Sequence, residues 1–150
     1  MKLLLVDDHE MVRLGLKSYL SMQDGIDQVL EASDGQEGVE VALQERPDVI
    51  IMDIVMPHMT GIEATLAILK EWSDAKILIL TSYLDNEKIY PVLDAGAKGY
   101  MLKTSSAEEI LRAIRKVEQG ELAIETEVSQ KVEYRKNHVE LHDDLTARER

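Results

Sequence analysis

The sequence contains no cysteine and no phenylalanine, and only 4% of its 150 residues are aromatic. The absence of cysteine excludes disulfide bonds and thiolate metal sites. Because phenylalanine is missing, the core has to be built from leucine, isoleucine, valine, methionine and alanine. Hydrophobic residues make up 45% of the chain, which is ordinary for a globular protein of a size that buries its own core.

Long apolar runs are also missing. The N-terminal run at residues 3–6 is too short for the apolar region of a signal peptide. No other run approaches the length that a membrane-spanning helix requires. We therefore expect a soluble, cytoplasmic protein without membrane contacts.

Basic residues are outnumbered, with 17 lysines and arginines against 29 aspartates and glutamates, for a net charge of −12. A field of this sign repels the phosphates of nucleic acids. The charge therefore predicts that this stretch of chain does not bind DNA or RNA by itself. Cations and other proteins are the better candidate partners.

Apolar strand-like runs alternate with helical patterns along the first 120 residues. Strands are predicted at residues 2–6, 28–32, 48–52, 76–80 and 99–102, and helices at residues 10–22, 35–45, 61–71, 86–95 and 106–119. The strands are apolar without alternation, except for a weaker one at 28–32, which indicates burial on both faces of a parallel sheet. The pattern predicts a doubly wound α/β domain, and it leaves the strand order open.

Residues that typically end or cap helices support these boundaries. Pro47 is placed to end the second helix, and Gly96 and Gly120 lie just past helix ends, where a left-handed cap favours glycine. Thr60 and Ser105 precede helices and are predicted to cap them. The α/β pattern stops near Gly120, and no further strand is predicted beyond it.

Polar side chains follow four of the predicted strands. Asp7 and Asp8 follow the first strand, Asp53 the third, Thr81 the fourth and Lys103 the fifth. Ligands of open α/β sheets bind beyond the carboxyl ends of the strands. Three carboxylates, a hydroxyl and an ammonium group are therefore expected at one edge of the sheet.

This set of groups is suited to phosphoryl transfer onto an aspartate. Three neighbouring carboxylates repel one another unless a cation neutralises them, and Mg²⁺ prefers such oxygen ligands. A carboxylate can act as a nucleophile towards phosphorus, and Mg²⁺ with Lys103 can neutralise the phosphoryl oxygens while Thr81 donates a hydrogen bond. Two simpler interpretations remain at this point: Asp7 and Asp8 cap the first helix, and Ser82 replaces Thr81.

Nucleotide cofactors are not expected. The sequence has neither a G-x-x-x-x-G-K nor a G-x-G-x-x-G motif. The first strand-to-helix turn, where phosphates usually bind, carries acidic residues instead. A phosphatase with an aspartate nucleophile is a rival interpretation, but those enzymes usually place the nucleophile after the first strand in an Asp-x-Asp pattern.

Four segments together closely resemble the response regulator receiver family over residues 2–119. They read Leu-Val-Asp-Asp-His-Glu at 5–10, Asp-Ile-Val-Met-Pro-His-Met-Thr-Gly at 53–61, Leu-Thr-Ser at 80–82 and Asp-Ala-Gly-Ala-Lys-Gly-Tyr-Met-Leu-Lys at 94–103. The resemblance implies a flavodoxin-like sheet of five strands in the order 2-1-3-4-5. The sequence departs from the family pattern at two positions. Many receivers have proline after the active-site lysine, where this chain has Thr104. Pro91 interrupts a predicted helix that in this family often binds partners.

The resemblance also implies roles for individual residues. Asp53 is the expected phosphoacceptor, and Thr81 and Lys103 contact the phosphoryl group. Mg²⁺ is expected to bind Asp7, Asp8 or both, together with Asp53 and the carbonyl group of Val55. Tyr100 is expected to change rotamer as Thr81 moves, although plain core packing is the alternative for this tyrosine. Such a domain catalyses only its own phosphorylation and dephosphorylation, and is not otherwise an enzyme.

The tail indicates a subgroup. Leu-Thr-Ala-Arg-Glu-Arg at 145–150 resembles the start of a LuxR-type helix-turn-helix domain, as found in the LuxR/NarL-type subfamily. The segments at 6–13 and 80–83 resemble the LiaR/VraR-like regulators of cell-envelope stress. The resemblance implies a receiver domain at 1–120, a linker at 121–144 and the beginning of an otherwise absent DNA-binding domain at 145–150. Residues 125–141 of the linker are compatible with either a helix or a mobile segment.

The implied partners are a sensor histidine kinase, a second copy of the chain after phosphorylation, and DNA through the missing domain only. The helical face formed by Ile110, Leu111, Ile114 and Val117 is expected to pack in the core, and its exposed parts could join Met11 and Leu14 in a dimer surface. Four histidines, His9, His58, His138 and His142, are interpreted as polar surface residues. A receiver that is never phosphorylated and acts only as an interaction module remains the alternative function.

Overall fold

The computed structural model describes residues 1–82, 91 and 93–124. Its strands are β1 Lys2–Val6, β2 Gln28–Ala32, β3 Val49–Asp53, β4 Ile77–Thr81, β5 Gly99–Leu102 and β6 Ala123–Ile124. Its helices are α1 Glu10–Ser21, α2 Gly35–Glu45, α3 Gly61–Glu71 and α4 Ala107–Glu118. None of the helices in the described residues is both long and apolar enough to cross a membrane.

The strands form one parallel sheet in the order β2-β1-β3-β4-β5-β6. This confirms the doubly wound α/β fold and the order 2-1-3-4-5 of the first five strands. Strands β3 and β4 each begin and end one residue later than we predicted from the apolar runs of the sequence. Asp53 and Thr81 are therefore the last residues of their strands, rather than the first residues of the following loops.

The prediction that no strand follows Gly120 is wrong. Ala123 and Ile124 form β6, which pairs in parallel with Gly99 and Tyr100 of β5. A strand of two residues has no periodicity that could be recognised in the sequence. The predicted helix at 86–95 falls largely outside the described residues, as do the rest of the linker after Ile124 and the helix-turn-helix start at 145–150.

The sheet is covered by helices on both faces. Leu4, Ile50 and Ile79 pack on the side of α2 and α3, together with Ala42 and Ile68 of those helices. Alternate strand residues point to the other side, where they pack against α1 and α4; they include Leu3, Leu5, Ile51, Leu78 and Leu80. The core is aliphatic as predicted, with the fully buried Tyr100 as its main aromatic member.

Helix ends follow the predicted chemistry with one exception. Thr60 caps α3 in a capping box with Glu63, as expected for a threonine at this position. The prediction that Ser105 caps the last helix is wrong, because Ser106 is the cap and forms the equivalent box with Glu109. Both serines are chemically suitable, and only the backbone geometry separates them.

Gly61 holds the start of α3 tightly against the end of β3. A Cβ atom at this position would lie 1.9 Å from the carbonyl oxygen of Asp53. The amide of Gly61 also donates to the carbonyl oxygen of Ile54 at 2.7 Å. The close approach of the two backbones therefore requires glycine, and it fixes the loop that follows Asp53.

We expect Gly61→Ala to destabilise the fold by about 3 kcal/mol, because the methyl group meets backbone that cannot rotate away. Urea denaturation measures this change. Gly15→Ala in α1 is the matched control, since an added Cβ there meets nothing within 4 Å. It should stabilise the protein by about 0.5–1 kcal/mol through helix propensity. Equal effects of the two substitutions would contradict this description of Gly61.

Candidate functional site

The carboxyl ends of the central strands bring the predicted acidic and basic residues together. Asp7 directly follows β1, Asp53 ends β3, and Lys103 directly follows β5. Asp53 and Asp7 are almost completely buried, with 3% and 6% of their surface exposed. Burial of carboxylates is costly unless a positive charge lies nearby.

Lys103 supplies that charge. Its Nζ atom lies 3.1 Å from Oδ2 of Asp53 and 3.1 Å from Oδ2 of Asp7. Only 12% of the lysine side chain is exposed, so solvent screens these ion pairs little. One ammonium group thus faces two buried carboxylates, and this part of the site carries an excess of negative charge.

A third carboxylate adds to the excess. Ligand atoms of Asp7, Asp8, His9 and Asp53 all lie within 4.8 Å of one another. Asp8 is the more exposed aspartate of the group, with 30% of its side chain accessible. Three carboxylates in this space form an oxygen-rich set that fits a hard divalent cation such as Mg²⁺.

His9 lies closer to this cluster than the sequence indicated. Its Nδ1 atom lies 3.1 Å from Oδ1 of Asp7, 3.3 Å from Oδ1 of Asp8 and 3.5 Å from Nζ of Lys103. In the sequence, the position of His9 directly after the aspartate pair was the signal that could have indicated these contacts. His58, by contrast, is not part of the cluster and has a left-handed backbone with φ of 70°.

The environment disfavours ionisation of Asp53. Burial raises the pKa of its carboxyl group, and the neighbouring charges of Asp7 and Asp8 raise it further. The ammonium group of Lys103 opposes this rise without cancelling it. A cation added to the cluster would favour the ionised carboxylate, which is the nucleophilic form.

Lys103 responds in the complementary way. Burial by itself lowers the pKa of its ammonium group, but the charges and hydrogen bonds of Asp53 and Asp7 outweigh burial and raise it. Lys103 therefore remains charged across the physiological pH range. It forms a fixed positive charge beside the carboxylate of Asp53.

The remaining predicted residues occupy the same edge or the strands beneath it. Thr81 is buried at the end of β4, where its carbonyl oxygen accepts from the amide of Lys103 at 2.7 Å, while Ser82 is exposed beyond the strand. Val55 lies in the loop after β3 with half of its surface exposed. Tyr100 is fully buried in β5, paired with Ile79 of β4.

The predicted helical face of α4 packs in the core. Ile110, Ile114 and Val117 are buried, and Leu111 packs at the margin of the same cluster. This confirms core packing for these residues. On α1, Met11 and Leu14 are exposed, by 82% and 43%, so the dimer surface stays a prediction that rests on these two side chains.

We expect Asp53→Asn to stabilise the cation-free protein at neutral pH. A carboxyl group whose pKa is raised on folding contributes stability below its unfolded pKa, near 3.8, and this contribution is lost as pH rises through the folded pKa. Asparagine resembles the neutral form and leaves the pair of Lys103 with Asp7 in place. The gain should therefore vanish towards about pH 4.

Urea denaturation as a function of pH, in the presence of a chelator, measures this difference. Asp74→Asn is the matched control, because Asp74 is exposed and precedes β4, away from the carboxyl ends of the strands where the site lies. A destabilised Asp53→Asn protein at neutral pH would mean that Lys103 stabilises the ionised carboxylate more than burial and repulsion disfavour it.

Comparison with known proteins identifies relatives over nearly the whole chain. Residues 3–115 match the model of the response regulator receiver domain. The transcriptional regulatory protein LiaR of Bacillus subtilis is 51% identical over 152 aligned positions, which cover 99% of this chain and 72% of that protein. The response regulator protein VraR of Staphylococcus aureus is 46% identical over 149 positions, covering 99% and 71%.

Solved structures agree in fold. A LuxR-family two-component response regulator from Aurantimonas has a TM-score of 0.83 at 32% identity, covering 90% of this chain and 96% of that one. The signal receiver domain of a NarL regulator from Mycobacterium tuberculosis has a TM-score of 0.74 at 29% identity, covering 79% and 96%. The chain therefore belongs to the response regulator receiver family, among the LuxR-family transcription regulators that include LiaR and VraR.

Proposed function

We propose that Asp53 accepts a phosphoryl group and that this modification is the signal the domain receives. The observation that carries the proposal is the buried carboxylate of Asp53, held 3.1 Å from the ammonium group of Lys103 at the edge of the sheet. A sensor histidine kinase is the proposed donor, as befits the relationship to LiaR and VraR. Small acyl phosphates are chemically equivalent donors.

The reaction forms one bond and breaks one. A carboxylate oxygen of Asp53 attacks phosphorus, and the bond from phosphorus to the leaving group of the donor breaks, with its electron pair going to that leaving group. The product is a mixed anhydride of aspartate and phosphate. Lys103 remains ion-paired with Asp7 and can turn its charge to the phosphoryl oxygens that replace the carboxylate charge.

Mg²⁺ is the proposed cofactor. Asp7, Asp8, Asp53 and the carbonyl oxygen of Val55 would hold it, and the clustering of the three carboxylates supports this assignment. When bound, the ion supplies neutralisation of negative charge on the transferring phosphoryl group. The residues themselves position the nucleophile, limit its exposure to water and provide the fixed charge of Lys103.

Release of the signal uses the same groups. Water attacks phosphorus, the bond between phosphorus and the Asp53 oxygen breaks with its electron pair going to that oxygen, and inorganic phosphate leaves with the carboxylate of Asp53 restored. The domain thus catalyses only its own phosphorylation and dephosphorylation.

The proposed switch connects Asp53 to Tyr100 through the neighbouring strands β4 and β5. In this proposal the hydroxyl of Thr81 donates to the new phosphoryl group. The hydrogen bond from the Lys103 amide to the Thr81 carbonyl oxygen, which couples the end of β4 to β5, supports it. Tyr100 lies in β5, two residues before Leu102, which pairs with Thr81 of β4. We assign to Tyr100 a change of rotamer that follows the movement of Thr81 towards the phosphoryl group. Phosphorylation then biases a two-state equilibrium, as covalent charge changes generally do.

The proposed output is pairing of two copies, followed by control of transcription. LuxR-family output domains generally read paired half-sites, so a dimer suits such a target. The chain's net charge of −12 disfavours DNA binding by the domain itself. DNA binding is therefore assigned to an output domain outside this stretch.

We expect intact-mass spectrometry to detect the addition of one phosphoryl group after incubation with acetyl phosphate and Mg²⁺. The gain should be absent in Asp53→Ala, because the nucleophile is missing, and retained in Asp74→Ala, which removes an exposed aspartate away from the site. Size-exclusion chromatography of the same samples should show a dimer only where the phosphoryl group was gained.

Other outcomes identify the rival functions. No mass gain with acetyl phosphate or with a phosphorylated cognate kinase would mean an interaction module that is never phosphorylated. Sustained hydrolysis of a phosphomonoester, lost on substitution of Asp7, would mean an aspartate-dependent phosphatase. A gain that persists in Asp53→Ala would place the acceptor elsewhere.

A further inference from the structure

Arg13 connects the backbone of the acidic cluster to β2, the outer strand of the sheet. Its Nη1 atom donates a hydrogen bond to the backbone carbonyl oxygen of Asp7. Its Nε atom donates to Oε1 of Glu31 on β2 at 3.0 Å. The arginine side chain is 14% exposed, and it lines a small cavity together with Asp7 and Asp53. None of the chemistry described above uses it.

The carbonyl group of Asp7 lies just beyond the regular pairing of the sheet. Val6 and Ala32 are the last paired residues of β1 and β2, and the amide of Asp7 still donates to the carbonyl oxygen of Ala32 at 3.1 Å. The carbonyl of Asp7 follows this last bond in a buried position. Buried carbonyl groups need a donor, and Arg13 supplies one from the second turn of α1.

The guanidinium group is itself held in place from the other side. Oε2 of Glu31 lies 2.9 Å from Nζ of Lys17, so the carboxylate bridges two basic residues of α1. Hydrogen bonds from Lys17 and then Arg13 lower the pKa of Glu31. Glu31 is therefore ionised at neutral pH and keeps the planar fork of Arg13 directed at both of its partners.

We propose that Arg13 is a positioning residue for the divalent cation site, fixing the Asp7 backbone so that the Asp7 carboxylate faces the cation. The inference rests on the proposed function, in which Asp7 is one of the cation's ligands. Groups that orient metal ligands through hydrogen bonds typically change metal affinity by about 10–100-fold when they are removed. Arg13 acts through Asp7 and does not touch the reacting atoms.

The positive charge of Arg13 has the opposite effect on cation binding. By itself, removing a positive charge near an acidic cluster should strengthen the binding of Mg²⁺. Loss of positioning should weaken it. The two effects therefore differ in sign, and a residue that has the same charge without the contact to Asp7 separates them.

Lys17 is that residue. It lies one helical turn from Arg13 and contacts the same Glu31, and no bond of Lys17 to Asp7 is found among the described residues. Arg13→Met and Lys17→Met each remove one positive charge and one partner of Glu31. Only the first removes the donor to the carbonyl oxygen of Asp7.

Isothermal titration calorimetry with Mg²⁺ on the 150-residue chain is the test. We expect Arg13→Met to weaken Mg²⁺ binding by about 10-fold and Lys17→Met to leave it unchanged or slightly tighter. Arg13→Lys keeps the charge but loses the planar fork that joins Asp7 to Glu31, so it lacks the gain from charge removal and should weaken Mg²⁺ binding at least as much as Arg13→Met. Thermal melting in a chelator confirms that each variant is folded under the titration conditions.

A kinetic readout separates positioning from a general structural role. With acetyl phosphate as donor, the Mg²⁺ concentration for half-maximal phosphorylation should rise in Arg13→Met, while the rate at saturating Mg²⁺ stays within about twofold of the wild type. A fall in the saturating rate alone, or equal Mg²⁺ affinities for Arg13→Met and Lys17→Met, would overturn the assignment. Wild-type protein that binds no Mg²⁺ would overturn the proposed cofactor, and the inference with it.

Discussion

The ammonium group of Lys103 lies 3.1 Å from the carboxylates of both Asp53 and Asp7, and the rest of the site depends on this contact. One positive charge faces three negative ones, two of which, Asp53 and Asp7, are almost completely buried. Burial, together with the charges of Asp7 and Asp8, raises the pKa of Asp53, and the carboxylates of Asp53 and Asp7 raise the pKa of Lys103 and keep it charged. In the proposed function, a divalent cation bound here would offset this excess of negative charge. We expect the same excess to cost stability in the cation-free protein and to favour cation binding.

The fold makes this arrangement possible. Strands β1, β3, β4 and β5 are neighbours and parallel, so their carboxyl ends lie at one edge although the residues are almost 100 positions apart in the chain. Gly61 lets the backbone of α3 approach the carbonyl of Asp53, and the amide of Lys103 ties β5 to the end of β4. A change in charge at Asp53 would therefore act on several rigid elements together, as the proposed two-state switch requires.

The sequence allowed the architecture and most of the site to be predicted, for identifiable reasons. Buried parallel strands are continuous apolar runs, and the polar residue after each run marks the edge where ligands bind. Boundaries were less certain: Asp53 and Thr81 turned out to end strands, and Ser106 caps α4 in place of Ser105. The contacts of Arg13 depend on side-chain direction and on Glu31 of β2, and β6 depends on a neighbouring strand, so no local pattern reports either of them. The contacts of His9 were indicated only by its position next to Asp7 and Asp8.

The central claim is that Asp53 itself carries the phosphoryl group, and chemical trapping tests it most directly. Borohydride reduces an aspartyl phosphate to homoserine, so peptide mass spectrometry of the phosphorylated and reduced protein locates the modified residue. The account predicts homoserine at position 53, dependent on Mg²⁺ and on a phosphodonor. Homoserine at Asp7 or Asp8, or its absence from a protein that has gained phosphoryl mass, would contradict it.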